Sequence, residues 1–227
     1  MSRAVIFDVD GTLVDSVDAH ADSWTRTFLH FGHPVDRAAV RAQIGKGGDQ
    51  LIPVFVPLET AERYGADMET YRADLFRREY LPHLQGFPAV PELFRRLRAD
   101  GRRIALATSA KKEELADYRR IAGIDGLVDA EVSSDDADHS KPCPDIFLAA
   151  LERLGMRADA AVAVGDSPWD AQAAARAGLS AIGLLCGGFP RETLVRAGCV
   201  ALYDTPAALL DQYDGSPITG PDERQIS

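Results

Sequence analysis

Cysteine is scarce in this chain. Its 227 residues hold three, Cys143, Cys186 and Cys199, an odd number with no CxxC spacing. That argues against a disulfide framework and against a thiolate zinc site, and the three are expected to be buried as small apolar residues. Long apolar runs are also missing. Even the stretch 182–185 is soon broken by Gly187-Gly188, far short of the roughly 18 to 20 residues that span a bilayer. Positive charge is in deficit: 25 Lys and Arg stand against 35 Asp and Glu, a formal net charge of −10. A general nucleic-acid-backbone binder gathers basic residues on one face, so that class is excluded. The N-terminus enters the apolar run 4–7 without the basic segment and long apolar stretch of a secretory signal. A cytoplasmic protein with no membrane and no nucleic-acid partner is therefore expected.

Short apolar runs are present, at 4–7, 103–107, 161–164 and 180–184, and each reads as a buried strand. Between them lie helical spacings: Val90, Leu93, Phe94 and Leu97 within 89–99, and Ile146, Phe147, Ala150, Leu151 and Leu154 within 144–154. This alternation predicts an α/β fold with a parallel, helix-covered sheet. Residues 15–87 interrupt it with helical patterns and no convincing strand. Trp24, Phe28, Leu29 and Phe31 share a helical spacing, as do Leu75, Phe76 and Tyr80, with Gly32 and Gly65 as candidate stops. The segment reads as an inserted all-α cap, and Gly86 and Pro88 mark a hinge back to the core. The expected organisation is a core of 1–14 and 88–214, a cap of 15–87 and a flexible polar tail of 215–227.

Four features carry chemistry. Asp8 ends the first strand and Asp10 follows two positions later; two nearby acids suit a hard cation, Gly11 permits a tight turn and Thr12 can hydrogen-bond within it. Ligands in such sheets gather beyond the strands' carboxyl ends. The second run ends at Thr108-Ser109, a hydroxyl pair with adjacent backbone N–H groups suited to phosphate oxygens, although such a pair also serves as an ordinary helix cap. Lys141 sits in a Pro-flanked segment, Ser140-Lys141-Pro142-Cys143-Pro144, where its ammonium can neutralise carboxylate and phosphate together. Finally 162–164 leads into Gly165-Asp166-Ser167-Pro168-Trp169-Asp170, whose two acids are spaced to face one site.

Together these features resemble, in order, the four motifs of the haloacid dehalogenase-like phosphatase superfamily, over residues 4 to about 188. The resemblance implies a Rossmann-like core with helices on both faces, an inserted helical cap and Mg2+ as cofactor. It implies Asp8 as the nucleophile that carries an aspartyl-phosphate and Asp10 as general acid and base. Thr108, Ser109 and Lys141 would bind phosphate, Asp8, Asp10 and Asp166 would hold the metal, and Thr12 and Asp170 would support them. Attack by Asp8 on phosphorus gives an acyl-phosphate, and an acid at position 10 can protonate the leaving alcohol and then deprotonate water.

Asp10 also separates chemistries within the superfamily, since its dehalogenases and phosphonate-cleaving relatives do not generally carry aspartate there. A β-phosphoglucomutase-like phosphotransferase uses the same two aspartates, and His20 with Trp24 resembles an arrangement found in those mutases and in capped sugar-phosphate phosphatases. Thr12 leans toward hydrolysis, because the mutase pattern commonly has Val there. In the cap, Gly45-Lys46-Gly47-Gly48 resembles a loop of phosphoglycolate-type phosphatases: its glycines permit close backbone approach, and Lys46 is placed to meet an anionic group. The expected activity is hydrolysis of a small phosphorylated metabolite of the phosphoglycolate or sugar-phosphate class. Phosphotransfer and a non-catalytic phosphate-ligand-binding protein are the alternatives.

Overall fold

The computed structural model describes residues 4–220. Six strands, β1 (Ala4–Phe7), β2 (Arg103–Ala107), β3 (Ala130–Val132), β4 (Ala161–Gly165), β5 (Ser180–Leu184) and β6 (Cys199–Tyr203), form one sheet in the order β3-β2-β1-β4-β5-β6, and every pairing is parallel. Chain order reverses at β1, which has β2 on one side and β4 on the other. The crevice beyond its carboxyl end is where ligands bind in open sheets of this kind.

Side chains alternate across the sheet, and the two faces differ in size. Val5, Phe7, Ile104, Leu106, Val162, Val164 and Ile182 lie on one face with α5 (Val90–Ala99), α6 (Lys112–Ala122) and α10 (Pro206–Asp211). On the other face Ala4, Ile6, Ala105, Ala107, Ala161, Ala163 and Ala181 meet α7 (Asp145–Leu154) and α8 (Pro168–Arg176). Small residues let α7 and α8 approach closely, so the segments that precede them, carrying Lys141 and Asp166, are drawn in over the same strand ends.

Between β1 and β2 the chain forms α1 (Val17–His30), α2 (Arg37–Arg41), α3 (Gly48–Phe55) and α4 (Leu58–Glu79), which share a separate apolar cluster of Val17, Trp24, Phe28, Val40, Leu51 and Met68. The two strands of chain that join this helical insertion to the sheet are tied to each other: Asp15 N–H donates to Gln85 O at 2.9 Å and Phe87 N–H to Leu13 O at 2.9 Å. A Cβ at Gly86 would stand 2.7 Å from Ile121 O, so glycine is what allows this crossing.

Several expectations need correction. Gly32, with φ +83°, follows the end of α1, but Gly65 lies inside α4; a mid-helix glycine costs only about 1 kcal/mol, which packing of α4 against α1 and α3 outweighs. The cysteines are half-buried rather than buried. Residues 215–220 of the expected tail remain packed, with Ile218 fully buried and Ser216 Oγ donating to Tyr213 O; the rest of that tail lies outside the described residues. No helix among the described residues is long and apolar enough to cross a membrane. The edge strands β3 and β6 and the helix α9 (Arg191–Ala197) have no counterpart in the reading of the sequence, and α6 and α8 enter it only as helices that Thr108-Ser109 and an aspartate at 166 or 170 would cap.

Candidate active site

Asp8 continues the ladder of β1, its N–H donating to Val164 O at 2.9 Å. The chain then coils tightly: Thr12, Leu13 and Val14 all direct their N–H groups at Val9 O, and Gly11 takes φ +77°. This coil returns Thr12 beneath the nucleophile candidate, where its hydroxyl lies 3.4 Å from Asp8 Oδ2 and 3.2 Å from Asp166 Oδ1. Asp166 directly follows β4, and Asp170 closes a capping box with Ser167 at the start of α8.

Asp8, Asp166 and Asp170 form a buried triad whose ligand atoms lie within 4.8 Å of one another. Lys141 reaches in from the segment before α7, with Nζ 2.5 Å from Asp8 Oδ1 and 2.8 Å from Asp170 Oδ1. Burial acts to lower the Lys141 pKa, but Asp170 and Asp8 outweigh it and hold the amine charged. One cation among three carboxylates leaves the cluster short of positive charge. Burial, reinforced by Asp170 and Asp10, pushes the Asp8 carboxyl up to about 7 against the opposing pull of Lys141. Burial and the charges of Asp170 and Asp8 push Asp166 well above the carboxylate range.

The backbone is moulded to this triad. A Cβ at Gly187 would fall 1.7 Å from Asp166 Oδ2, and one at Gly11 2.4 Å from the same atom. Three hard oxygen donors in a dry, negatively charged cradle fit a divalent cation such as Mg2+. Gly187→Ala is accordingly expected to displace Asp166 and weaken apparent affinity for Mg2+ by roughly 10- to 100-fold, checked by Mg2+ titration of the thermal midpoint. Nearby, Cys186 donates to Gly11 O at 3.2 Å, and burial together with Asp166 pushes its thiol up to about 12, so it behaves as an inert filler of the loop.

Asp10 faces away from this triad. Its Oδ1 is 2.6 Å from Ser16 Oγ and 2.7 Å from His20 Nε2. His20 Nδ1 meets the guanidinium of Arg72 on α4. A guanidinium only donates, so Nδ1 accepts, Nε2 carries the hydrogen, and that hydrogen points at Asp10. Tyr118 of α6, buried on the sheet side, places its hydroxyl 3.3 Å from His20 Nε2. Burial alone would raise the Asp10 pKa, but His20, Ser16 and Tyr118 outweigh it and hold the carboxyl well below its usual range. Sequence reading missed Ser16, Arg72 and Tyr118. Each is an unremarkable residue in a helical pattern, and only packing brings them to one carboxylate.

The remaining expected residues divide. Ser109 lines the cleft with its hydroxyl buried and, among the described residues, without a hydrogen-bond partner. Thr108 is buried, and its Oγ1 accepts from Ala110 N–H at 3.1 Å, so its first role is to shape the turn. Gly45, Gly47 and Gly48 lie over the cleft, and a Cβ at Gly45 would sit 2.6 Å from Ser167 Oγ. Lys46 departs from expectation: its Nζ donates to Gln43 Oε1 at 2.7 Å and stands 4.1 Å from the centre of the Trp169 ring. That contact ties the loop to the core instead of offering a free charge to a ligand.

The cleft between sheet and insertion brings Asp8, Asp10, His20, Lys46, Arg72 and Ser109 to one space. Residues 2–178 match the family described as haloacid dehalogenase-like hydrolase. The chain belongs to that family. It is 32% identical to a phosphoglycolate phosphatase of Rhodospirillum rubrum over 98% of this chain and 95% of that protein, and 28% identical to a phosphorylated carbohydrates phosphatase of Thermotoga maritima over 88% and 93%. A solved hydrolase from Pseudomonas syringae superposes with a TM-score of 0.85 at 27% identity, covering 95% of this chain and 99% of the other.

Proposed function

We propose that this hydrolase is a phosphatase that cleaves monoesters of small phosphorylated metabolites through an aspartyl-phosphate on Asp8, with residues 15–87 as the cap that closes the site. The observation that carries this reading is the joint placement of Asp8 against Lys141 and of Asp10 in the same cleft. A carboxylate oxygen of Asp8 attacks phosphorus, the ester P–O bond breaks, and Asp10, once it has taken up the proton that a monoanionic ester brings into the cleft, delivers it to the departing alkoxide. Asp10, now ionised, takes a proton from the water that attacks the acyl-phosphate, and Asp8 is regenerated as free phosphate leaves. The three donors around Asp10 favour its ionised form, the form needed for the second half. Lys141 and the Ser109 hydroxyl hold phosphoryl oxygens. When bound, a divalent cation held by Asp8 and Asp166, with Asp170 beside them, offsets repulsion between the carboxylates and the phosphate. Mg2+ is the candidate because the donors are all oxygen.

The metal-free chain gives a test besides turnover. The Asp8 pKa is raised from 3.8 to about 7 in the folded state, so the folded protein keeps a proton that the unfolded chain releases. The resulting stabilisation is present below about pH 4 and is lost as pH rises through about 7. The thermal midpoint of metal-free protein should therefore fall between about pH 5 and about pH 8. Mg2+ at roughly 100 times its Kd should restore about 5–10 °C at the higher pH, and much less at the lower. A midpoint indifferent to Mg2+ at both values speaks against the metal assignment. For activity, a panel of phosphate esters assayed with and without Mg2+ should release phosphate in proportion to alcohol. Conversion of β-glucose 1-phosphate to glucose 6-phosphate with little free phosphate would instead establish phosphotransfer.

A further inference from the structure

Beyond Asp8 the cleft runs on under the insertion into a second space that shares Trp24, Gly48, Arg72 and Ser109 with the first and adds Glu69 and Lys111. A leaving group attached to phosphorus at Asp8 has this adjoining space open to it. Lys46 and Lys111 are already committed, the first to Gln43 and Trp169, the second to Asp135 at 3.5 Å with Glu69 at 4.0 Å.

Two groups remain with capacity to spare. Glu69 is half-buried, its carboxylate lies against Gly48, and among the described residues no hydrogen-bond donor reaches it. Burial pushes its carboxyl up, with Asp49 adding to the effect and Lys111 and Arg72 opposing it, as befits an acceptor awaiting a donor. Arg72 gives one nitrogen to His20, stacks its guanidinium 4.6 Å from the Phe76 ring centre, and makes no ion pair among the described residues. Its other nitrogens are surplus donors at the same wall. Trp24 also lines this space, its ring stacked on Phe28 and lying 5.7 Å beneath the Arg72 guanidinium, which helps to fix that cation in place.

Resting on the phosphatase reading, we infer that the leaving group is a neutral polyhydroxy compound, with Glu69 accepting from one hydroxyl and Arg72 donating to another. The charge pattern decides among small alcohols. A carboxylate-bearing alcohol such as glycolate satisfies Arg72 but offers Glu69 only another anion. An amino alcohol satisfies Glu69 but sets an ammonium beside Arg72. A hydroxyl both donates and accepts, so a polyol satisfies both residues without a like-charge contact.

The test uses the full chain with Mg2+ and compares kcat/KM for p-nitrophenyl phosphate, phosphoglycolate, phosphoethanolamine and neutral esters such as glycerol 1-phosphate, glucose 6-phosphate and fructose 1-phosphate. The best neutral ester should exceed both charged ones by about 10-fold or more, and Glu69→Lys should shift the phosphoglycolate-to-neutral ratio by roughly 100-fold toward phosphoglycolate. Glu69→Gln, which keeps the shape, should shift it the same way by about 3- to 10-fold. Phosphoglycolate or phosphoethanolamine as the best substrate, or a ratio unmoved in both variants, overturns the inference while leaving the phosphatase reading intact. Failure to hydrolyse any ester, p-nitrophenyl phosphate included, defeats the phosphatase reading itself.

Discussion

Asp8→Asn is expected to release phosphate at least about 10^4-fold more slowly than the native chain with every ester. An amide oxygen is a poor nucleophile, and the proposed route has no second carboxylate to take its place: Asp166 and Asp170 are held by the Thr12 hydroxyl and by Lys141 with the Ser167 capping box. The loss should be chemical and not conformational. Burial, with Asp170 and Asp10 adding to it, already pushes the Asp8 carboxyl up to about 7, so a neutral isostere removes a buried charge, and the metal-free variant should melt no lower than the native chain at about pH 8. Wild-type turnover in the variant, measured as phosphate release by folded protein, would remove Asp8 from the mechanism.

Asp10→Asn separates the two halves of the reaction. With an alkyl phosphate the leaving alkoxide needs a proton, so turnover should drop by roughly 10^2- to 10^4-fold and no intermediate should accumulate. Nitrophenolate leaves without one. With p-nitrophenyl phosphate the variant should therefore give a burst near one equivalent per chain, followed by a slow phase limited by attack of unactivated water. Rapid mixing and mass measurement of the acid-quenched protein should find the phosphoryl group on Asp8. A burst equally large with alkyl esters would show that Asp10 is not the acid. The neighbours of Asp10 make the comparison clean: Ser16 and His20 can still donate to an amide oxygen in its place, so the variant loses the proton and keeps the geometry.

Much of this site is legible along the chain because strand ends announce themselves. An apolar run of four or five residues that stops at Asp8, at Thr108 or at Asp166 marks both a buried strand and the chemistry at its mouth. The edge strands were harder to read for the opposite reason. β3 is three residues long with a partly exposed Glu131, and β6 is only partly covered, so neither has the apolar run that burial on two faces produces. Helix α4 likewise hid its continuity behind Gly65, since it contributes only Met68 and the partly buried Ala61 to the apolar cluster of the insertion.

Lys46 and Asp10 show where local pattern stops informing. A lysine among glycines reads as a free charge until Trp169, remote in sequence, is folded beneath it. The sequence places an aspartate two positions after Asp8 but does not show that Ser16, His20 and Tyr118 converge on it. The sequence by itself determined the parallel α/β core, the helical pattern between its first two strands and the four motifs around Asp8, Thr108, Lys141 and Asp166, because burial and turn chemistry act within a few residues. Tertiary structure alone decided which cations are already spent, how Asp10 is held, and that Glu69 and Arg72 share one wall. Charge acts through space over several ångströms, and residues from separate helices must be packed together before their sum is defined.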